Sequence, residues 1–352
     1  MKLVAGVIGC GGISRFHFAG FEKAGVRVKW VCDLDEARAR PWAERCGARY
    51  SADWEPVVAD PEVRIVDVLT PSRLHKPVCL AAIAAGKAVI CEKTLAENAD
   101  DALAIVRAAE KAGTVFYTSY MKRFIPAVEQ AKALLPRLGR IISTHIRIYQ
   151  NWGEVWDGNP ASGFCHTPPG GVSPVVSNYG GGILVCGGSH MLDLLNFFLG
   201  RPTRLSASMV RPADRDYDLQ ATALMETAHG PVLYEAVMHT LERIGFLRDG
   251  WQEELEFTGT QGRLNLYSAQ WDQNDRKASL LVHYDRASQQ AAEYRYGLEP
   301  AFERALAFFC ANIAKGVQGA QSRLTGYEVD ELIQAIKDSA TRRQAIDVNW
   351  RI

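Results

Sequence analysis

The chain has 352 residues, of which 47% are apolar and 23% charged, a composition typical of a globular protein with enough apolar material for more than one core. At about 150 residues per domain, we expect two domains. Forty Lys and Arg residues balance forty Asp and Glu residues, and no basic run would follow a phosphate backbone, so neither nucleic acid nor a membrane surface is an expected partner.

The chain also lacks the sequence features of a membrane or secreted protein. Its apolar stretches, such as residues 3–10, are about 8 to 10 residues long, whereas a membrane-spanning helix needs about 20. The N-terminal run has no cleavage pattern of a signal peptide, and the eight cysteines show no paired spacing of a disulfide framework. We therefore expect a cytoplasmic protein.

Residues 1–120 alternate between short β-branched runs and longer amphipathic stretches. The predicted strands are 3–8, 26–31, 65–69, 88–91 and 114–117. The predicted helices are 14–24, 35–46, 75–85 and 98–112. A repeated strand–helix–strand order predicts an α/β domain with a doubly wound parallel sheet, the Rossmann class that binds dinucleotides.

The pattern changes after residue 120. Predicted helices lie at 125–135, 182–199, 300–314 and 325–343. Predicted strands lie at 140–149, 204–210, 218–227, 231–239, 253–258, 262–267 and 279–283. Consecutive strands with short turns predict that residues 121–352 form an α+β domain on a largely antiparallel open sheet, for substrate binding and oligomerisation. Such a sheet has a face to cover, so we expect a homodimer or homotetramer.

A glycine-rich loop follows the first predicted strand and opens the first predicted helix. In this context the first glycine allows a tight turn, the second lets the backbone approach a pyrophosphate, and the helix N-terminus supplies N–H donors. The last glycine of the usual pattern is replaced by a serine, which is still small. A turn that binds no ligand is the alternative. The predicted cofactor-binding residues are Gly9, Gly11, Gly12, Ile13 and Ser14.

Asp33 stands at the end of the second predicted strand, where a carboxylate accepts hydrogen bonds from the adenosine ribose hydroxyls of NAD. A 2′-phosphate at that place would meet a like charge. We therefore expect NAD rather than NADP as the cofactor. The alternative is that Asp33 caps the N-terminus of the helix that begins near Asp35.

Glu92-Lys93-Thr94, directly after a predicted strand, resembles the Glu-Lys-Pro tripeptide of the glucose-fructose oxidoreductase / inositol dehydrogenase (Gfo/Idh/MocA) family. Further segments match the family in the same order along nearly the whole chain. They are the loop 9–14, Thr70-Pro71-Ser72 with His75, the segments 86–89 and 123–126, and Gly180-Gly181-Gly182 before His190 and Asp193. The resemblance implies that Thr70, Pro71, His75, Glu92 and Lys93 contribute to the cofactor site.

The resemblance also implies a pair of catalytic residues. Moving a hydride between a sugar C–H and a nicotinamide requires a group that handles the hydroxyl proton. Lys93 matches the family lysine that touches the reacting hydroxyl, and His190 matches the histidine that commonly serves as acid or base. Without the resemblance, Lys93 would more simply be a surface lysine paired with Glu92.

The chain departs from the family pattern at Cys186, where many members carry an aspartate. Residues four apart share a helix face, so Cys186 and His190 are expected to point the same way. One interpretation is a buried packing thiol. The other is a zinc-like divalent metal held by Cys186 and His190 with Cys165 and His166 from the preceding loop, which would polarise a substrate oxygen.

The loop 150–179 lies where members of the family build the substrate pocket. Trp152 and Trp156 are candidates for stacking on a sugar ring, although both could instead anchor the loop. Arg123, with its neighbour Lys122, is a candidate for an anionic substrate group, with a salt bridge as the alternative. Asp193, near the face of Cys186 and His190, completes the substrate candidates.

Three functions remain open at this point. The first is an NAD-dependent oxidoreductase acting on a hydroxyl of a sugar, an inositol or a sugar derivative. The second is an NAD-dependent glycosidase that oxidises transiently, eliminates, hydrates and reduces again, with or without a metal. The third is a dinucleotide-binding sensor without turnover, which the retention of Lys93 and His190 disfavours.

Overall fold

The computed structural model describes residues 3–160, 165–167, 170–273, 275–298 and 300–352. The chain forms two compact units, of which the first comprises Met1–Met121 and Phe302–Asp330 and the second Lys122–Ala301 and Glu331–Ile352. The sequence-based division near residue 120 agrees with the first boundary. It differs in assigning residues 302–330 to the second domain.

The first unit contains a parallel sheet of six strands connected by helices. The strands are β1 (Val4–Ile8), β2 (Arg27–Cys32), β3 (Arg49–Ser51), β4 (Ile65–Val68), β5 (Ala88–Cys91) and β6 (Phe116–Thr118). The helices are α1 (Ser14–Lys23), α2 (Glu36–Cys46), α3 (Glu55–Ala59), α4 (His75–Ala84) and α5 (Ala99–Ala112). The order across the sheet is β3-β2-β1-β4-β5-β6, which confirms the predicted doubly wound arrangement.

The second unit is built on a mixed sheet of nine strands. Its helices are α6 (Pro126–Leu134), α7 (Pro174–Tyr179) and α8 (Ser189–Leu199). Its strands are β7 (Ile141–Asn151), β10 (Arg204–Val210), β11 (Gln220–Thr227), β12 (Gly230–His239), β13 (Trp251–Gly259), β14 (Gly262–Ser268), β15 (Leu280–Asp285), β16 (Gln290–Arg295) and β17 (Ile346–Asp347), with β8 (Gly153–Glu154) and β9 (Asn159–Pro160) pairing separately.

The nine strands are arranged in the order β16-β15-β14-β13-β7-β12-β11-β10-β17. All neighbouring pairs are antiparallel except β7 and β12, which run in the same direction. The largely antiparallel sheet is therefore as predicted. The parallel pair brings the carboxyl ends of β7 and β12 side by side, with Gln150 opposite Met238 and Asn151 opposite His239.

Two helices lie between β16 and β17 in the chain, α9 (Ala301–Lys315) and α10 (Thr325–Arg342). Helix α9 packs against α1 in the first unit: the rings of Phe302 and Phe16 stack with centroids 4.9 Å apart. A Cβ on Gly20 would lie 2.7 Å from the Leu306 side chain, so the two helices approach closely there. This apolar contact explains why residues 302–330 belong to the first unit, which the order of elements along the chain does not indicate.

The segment after α9 closes one edge of the parallel sheet. The Gln318 side chain accepts a hydrogen bond from the Phe116 N–H (3.0 Å) and donates one to the Phe116 carbonyl (2.7 Å). Gln321 donates to the Thr118 carbonyl at 2.9 Å. Side-chain amides thus take the place of a seventh strand and satisfy backbone groups that an open edge would leave exposed.

The stretch Pro174–Leu199 is long and apolar enough, by length and composition, to cross a membrane, and it is the single such stretch among the described residues. In its most apolar window, 83% is buried inside the protein, as in a core helix of a folded domain. All eight cysteines are free thiols.

Candidate active site

The glycine loop has the geometry that its sequence predicts. Gly9 has a φ of +103°, and a Cβ there would lie 2.7 Å from the Leu69 carbonyl, so glycine is required for the close approach to the end of β4. A Cβ on Gly11 or Gly12 would meet no atom within 4 Å, which leaves the open space that a pyrophosphate needs. The Ser14 hydroxyl donates to the Gly11 carbonyl (2.7 Å) and so closes the loop on itself.

Asp33 joins the end of β2 to this loop. Its Oδ2 accepts a hydrogen bond from the Cys10 N–H (2.7 Å), and its Oδ1 accepts one from the Asp35 N–H (2.9 Å). The cap of α2 is Asp35 instead, whose side chain accepts from the Ala37 N–H. The alternative reading of Asp33 as the helix cap is therefore wrong, and its role at the ribose remains a prediction.

His75 connects the turn after β4 with the turn after β5. The ring is fully buried, its Nε2 lies 2.7 Å from the Thr70 carbonyl, and its Nδ1 lies 3.0 Å and 3.1 Å from the Thr94 and Leu95 carbonyls. Burial lowers the pKa of His75. His75 thus holds the two turns together by hydrogen bonds. The first of these turns carries the other two predicted cofactor residues, Thr70 and Pro71.

The turn that carries Lys93 follows β5 at the carboxyl edge of the parallel sheet. Glu92 is buried and its Oε2 accepts a hydrogen bond from the Lys93 N–H at 3.2 Å. Further along, the Asp330 carboxylate accepts one from the Ala96 N–H at 2.8 Å. The Lys93–Thr94 peptide is cis. Lys93 itself is partly exposed, on a turn whose backbone is held on both sides.

A buried charged cluster beneath this turn was not predicted from the sequence. His17 of α1 lies between two carboxylates, with Nδ1 3.0 Å from Asp67 Oδ2 and Nε2 3.0 Å from Glu92 Oε1. Burial opposes the charge on His17, but the two carboxylates outweigh it and raise its pKa to about 10. Burial raises the pKa of Asp67, whereas His17 overcomes burial and lowers that of Glu92. A useful signal existed: Asp67 interrupts an otherwise apolar buried strand.

In the second unit, His190 lies in the first turn of α8 and is 8% exposed. The helix is preceded by a π-turn at Leu184–Gly188. The buried Asp218 carboxylate accepts hydrogen bonds from the N–H groups of Gly182 (3.1 Å) and Leu184 (2.9 Å), which fixes the start of this turn. Burial raises the pKa of Asp218.

Two glycines let this π-turn pack against the sheet. A Cβ on Gly188 would lie 2.9 Å from the Ile183 carbonyl and would also collide with the Tyr234 hydroxyl. A Cβ on Gly187 would collide with the Gln150 side chain. The glycines before His190 are therefore required by close approach, and they set the position of the first turn of α8.

Arg123 and Asp193 form a pair with each other. Arg123 Nε lies 3.0 Å and 2.9 Å from the two Asp193 oxygens, Nη2 lies 2.6 Å from Oδ1, and the guanidinium stacks over the Phe197 ring. Lys122 forms a buried ion pair with Glu253. These contacts fit the salt-bridge alternative and anchor α8 to the chain before α6. A contact of Arg123 or Asp193 with the substrate stays a prediction.

Trp152 and Trp156, the predicted sugar-stacking residues, are anchored by their indole N–H groups. Trp152 donates to the Gln150 side chain (3.1 Å), and its backbone N–H donates to the His239 carbonyl. Trp156 donates to the Met238 carbonyl (2.7 Å) and is 43% exposed. Both interpretations of the loop are compatible with these contacts, because an anchored indole can still present a ring face.

The predicted metal site finds no support. Among the described residues, no group of three or more His, Cys, Asp and Glu side chains is arranged to hold a metal ion. Cys165 is buried and His166 is exposed. Burial and the nearby Cys186 thiol raise the pKa of Cys165 to about 11. A zinc ion at Cys165, His166, Cys186 and His190 is therefore not retained.

Two sequence profiles of one family match the chain. The profile described as an oxidoreductase family with an NAD-binding Rossmann fold matches residues 3–120, and the profile of the GFO/IDH/MocA C-terminal domain matches residues 128–265. With a Rossmann unit and this second domain, the chain belongs to the Gfo/Idh/MocA family of oxidoreductases, which confirms the resemblance.

Within this family the chain is similar to a levoglucosan dehydrogenase from Pseudarthrobacter phenanthrenivorans, with 26% identity over 91% of this chain and 89% of that protein. An inositol 2-dehydrogenase from Saccharopolyspora erythraea is 36% identical, over 44% of this chain and 47% of the relative. Among solved structures, a levoglucosan dehydrogenase in complex with NADH and levoglucosan shares the fold, with a TM-score of 0.84, 22% identity, and coverage of 99% of this chain and 100% of that one.

Proposed function

We propose that the protein is an NAD-dependent dehydrogenase that oxidises a hydroxyl group of a sugar, an inositol or a sugar derivative. The observation that carries the proposal is the Lys93 turn, which is held by hydrogen bonds on both sides at the same edge of the sheet as the open glycine loop. The names of the similar dehydrogenases, for an anhydrosugar and for inositols, support this class of substrate.

The residues of the first unit fit the cofactor. The open space at Gly11 and Gly12 suits a pyrophosphate, and the N-terminus of α1 directs N–H groups toward it. Asp33 is positioned by the Cys10 N–H to accept ribose hydroxyls. NAD, when bound, accepts the hydride removed from the substrate carbon.

The remaining chemistry is the removal of the hydroxyl proton. In the proposed role, Lys93 hydrogen-bonds to the reacting hydroxyl and stabilises the negative charge that develops on its oxygen as the hydride leaves. His190 keeps its predicted role as acid or base, on a helix whose start is fixed by Asp218. Trp152 and Trp156 remain the candidates for contact with the sugar ring.

The first test is turnover. The purified protein is incubated with NAD and a panel of sugars, inositols and glycosides, and both NADH and released aglycone are measured. Formation of NADH supports the proposal. Release of an aglycone without net NADH would replace it with the glycosidase reaction, and the absence of any turnover would favour a dinucleotide sensor.

The second test is the Lys93→Ala variant. We expect kcat to fall by at least about 100-fold with little change in the dissociation constant of NADH, because Lys93 acts on the substrate oxygen. Lys111→Ala, on the exposed surface of α5, serves as the matched control and should keep its rate. A near-normal rate in Lys93→Ala would reject the assigned role.

The proposal extends to partners and location. The partner is a small carbohydrate, with neither nucleic acid nor a membrane involved, and the open face of the nine-stranded sheet is covered by a second copy of the chain. The free state of all eight cysteines supports a reducing cytoplasm.

A further inference from the structure

A buried histidine links the helix after the glycine loop to the turn that carries Lys93. His17 lies on the second turn of α1 and is fully buried. Its Nε2 lies 3.0 Å from Glu92 Oε1, and the other oxygen of the same carboxylate accepts the Lys93 N–H. A continuous path of hydrogen bonds therefore runs from Asp67 in β4 through His17 and Glu92 to the Lys93 backbone.

The charge state of this path follows from its acceptors. The carboxylates of Asp67 and Glu92 offer only acceptor oxygens when ionised, so both ring nitrogens of His17 must carry a proton to make both contacts. His17 is then an imidazolium that separates two buried carboxylates. Without it, the two negative charges would face each other in a region from which water is excluded, and Glu92 would turn away or take up a proton.

We propose that His17 is a positioning residue, which holds the Lys93 turn in its working geometry through the Glu92 carboxylate. The inference rests on the proposed function, since Lys93 is the group to be positioned. A displacement of a reacting group by about 1 Å can lower a rate about 100-fold, so a residue that touches neither cofactor nor substrate can still control kcat.

The same unit contains a second ion pair that makes a suitable comparison. Lys29 in β2 lies 2.7 Å from Asp60, which follows α3, and both side chains are largely buried. The pair joins elements of the fold, yet it makes no contact with the glycine loop or with the Lys93 turn. If the buried charges of this unit contributed to stability alone, the loss of the His17 cluster and the loss of the Lys29–Asp60 pair would each lower the stability, and neither would change kcat.

The experiment compares His17→Gln with Lys29→Gln in the full chain. Glutamine is neutral and carries both of its N–H donors on one nitrogen, so it cannot bridge Asp67 and Glu92 as the two ring nitrogens of His17 do, and the acceptor of the Lys93 N–H is no longer held in place. We expect kcat to fall about 10- to 100-fold in His17→Gln, with the KM for NAD changed by less than about threefold. Lys29→Gln should lower the thermal stability and leave kcat of the folded protein unchanged.

Amide hydrogen exchange gives a readout that needs no substrate. We expect faster exchange in a peptide that spans residues 92–96 in His17→Gln, and wild-type exchange there in Lys29→Gln. Glu92→Gln, which keeps the size of the side chain, provides a second variant if His17→Gln fails to fold, and it should show the same acceleration.

The possible failures are separate. Unchanged exchange at residues 92–96, or an unchanged kcat in folded His17→Gln, would overturn the positioning role. Near-normal turnover by Lys93→Ala would overturn the proposed function instead, whatever the exchange experiment shows.

Discussion

Asp33 is the residue on which the choice of cofactor depends. Its carboxylate is oriented by two backbone N–H groups, those of Cys10 and Asp35. A carboxylate in this position accepts hydrogen bonds from the ribose hydroxyls and repels a 2′-phosphate. Because the Cys10 N–H that orients Asp33 belongs to the glycine loop, the conformation of this loop also sets the position of the carboxylate that selects the cofactor.

We expect the wild-type protein to bind NAD at least about 10-fold more tightly than NADP and Asp33→Ala to lose most of this preference, since the repelling charge is gone. Dissociation constants of both oxidised cofactors, measured by calorimetry, test this. Asp35→Ala is the matched control: it removes the cap of α2, which should lower stability by about 1 kcal/mol without changing the preference. Equal affinities in the wild type would contradict the assignment.

Because of His17, the free energy of unfolding is expected to decrease as the pH rises through the alkaline range. Its pKa is raised from 6.5 to about 10 in the folded protein, so its stabilising contribution is complete below pH 6.5 and is lost as the pH rises toward 10. Between pH 7.5 and 8.5, the folded state holds one proton that the unfolded state has released. The free energy of unfolding should therefore fall by about 1.4 kcal/mol per pH unit from this group.

Urea unfolding of the wild type and of His17→Gln at pH 7.5 and 8.5 isolates this contribution. Buried thiols such as Cys10 and Cys32, whose pKa values are raised from 9.0 to about 12, begin to lose protons in the unfolded state near the upper end of this interval. They do so in both proteins, so the difference between the two pH dependences reports on His17. Parallel pH dependences in the two proteins would mean that His17 is not charged in the folded state.

At the level of single residues, the sequence predicts which residues the functional loops contain but not which distant residues hold those loops in place. Gly9 and Asp33 lie at strand ends, where the local pattern identifies them, and Lys93 was identified through the resemblance of its tripeptide to the family. His17 and Arg123 find their partners 50 to 75 residues away in the chain, and no local pattern encodes such distances. Their roles depend on how the helices pack against the rest of each unit, which brings these distant residues into contact.

Among the elements, β7 and the chain that precedes α6 are joined by a buried polar network. Lys122 pairs with Glu253 of β13, whose other oxygen accepts a hydrogen bond from the Gln150 amide at 3.3 Å. Gln150 in turn accepts the indole N–H of Trp152. Trp152 is thus connected through Gln150 to a buried ion pair.

We expect Glu253→Gln to lower the free energy of unfolding by about 3–5 kcal/mol, because it leaves the Lys122 charge buried without its partner. Replacing both, in Lys122→Met/Glu253→Leu, should cost much less, since no charge remains to be desolvated. Urea unfolding with tryptophan fluorescence measures both effects. If the double variant is as unstable as Glu253→Gln, the ion pair itself would be the stabilising contact.

Elements with a clear period were predicted to within one to three residues in most cases, as for α5 and β12. Those without one were missed. β3 and α3 are three and five residues long, too short to show a period. β16 is polar and almost entirely exposed, so it carries no alternation. The parallel pairing of β7 with β12 is set by the long connection through α7 and α8, which strand patterns do not reveal.

At the scale of the whole molecule, one face of the nine-stranded sheet carries exposed apolar side chains. Leu224 and Leu233 lie directly opposite each other on β11 and β12 and are 52% and 44% exposed. Nearby on the same sheet, Arg147 pairs with Glu235 and Glu254. An apolar pair beside a charged group suits a symmetric contact between two copies.

We therefore expect a dimer or tetramer in solution, and a shift toward monomers in Leu224→Glu/Leu233→Glu, because two like charges would be buried in the contact. Light scattering after size-exclusion chromatography measures the mass. Leu298→Glu, at a site that is equally exposed but outside the sheet, should leave the mass unchanged. A monomeric wild type would contradict the proposal.

The closure of β6 by Gln318 has a consequence for biosynthesis. The two partners are 202 residues apart, and a ribosome adds about 5–20 residues per second. The edge of the parallel sheet therefore emerges about 10 to 40 s before the side chains that cover it exist. Throughout that interval the nascent first unit presents a strand edge open to other chains, and its completion has to wait until every strand of the second sheet except β17 has been translated.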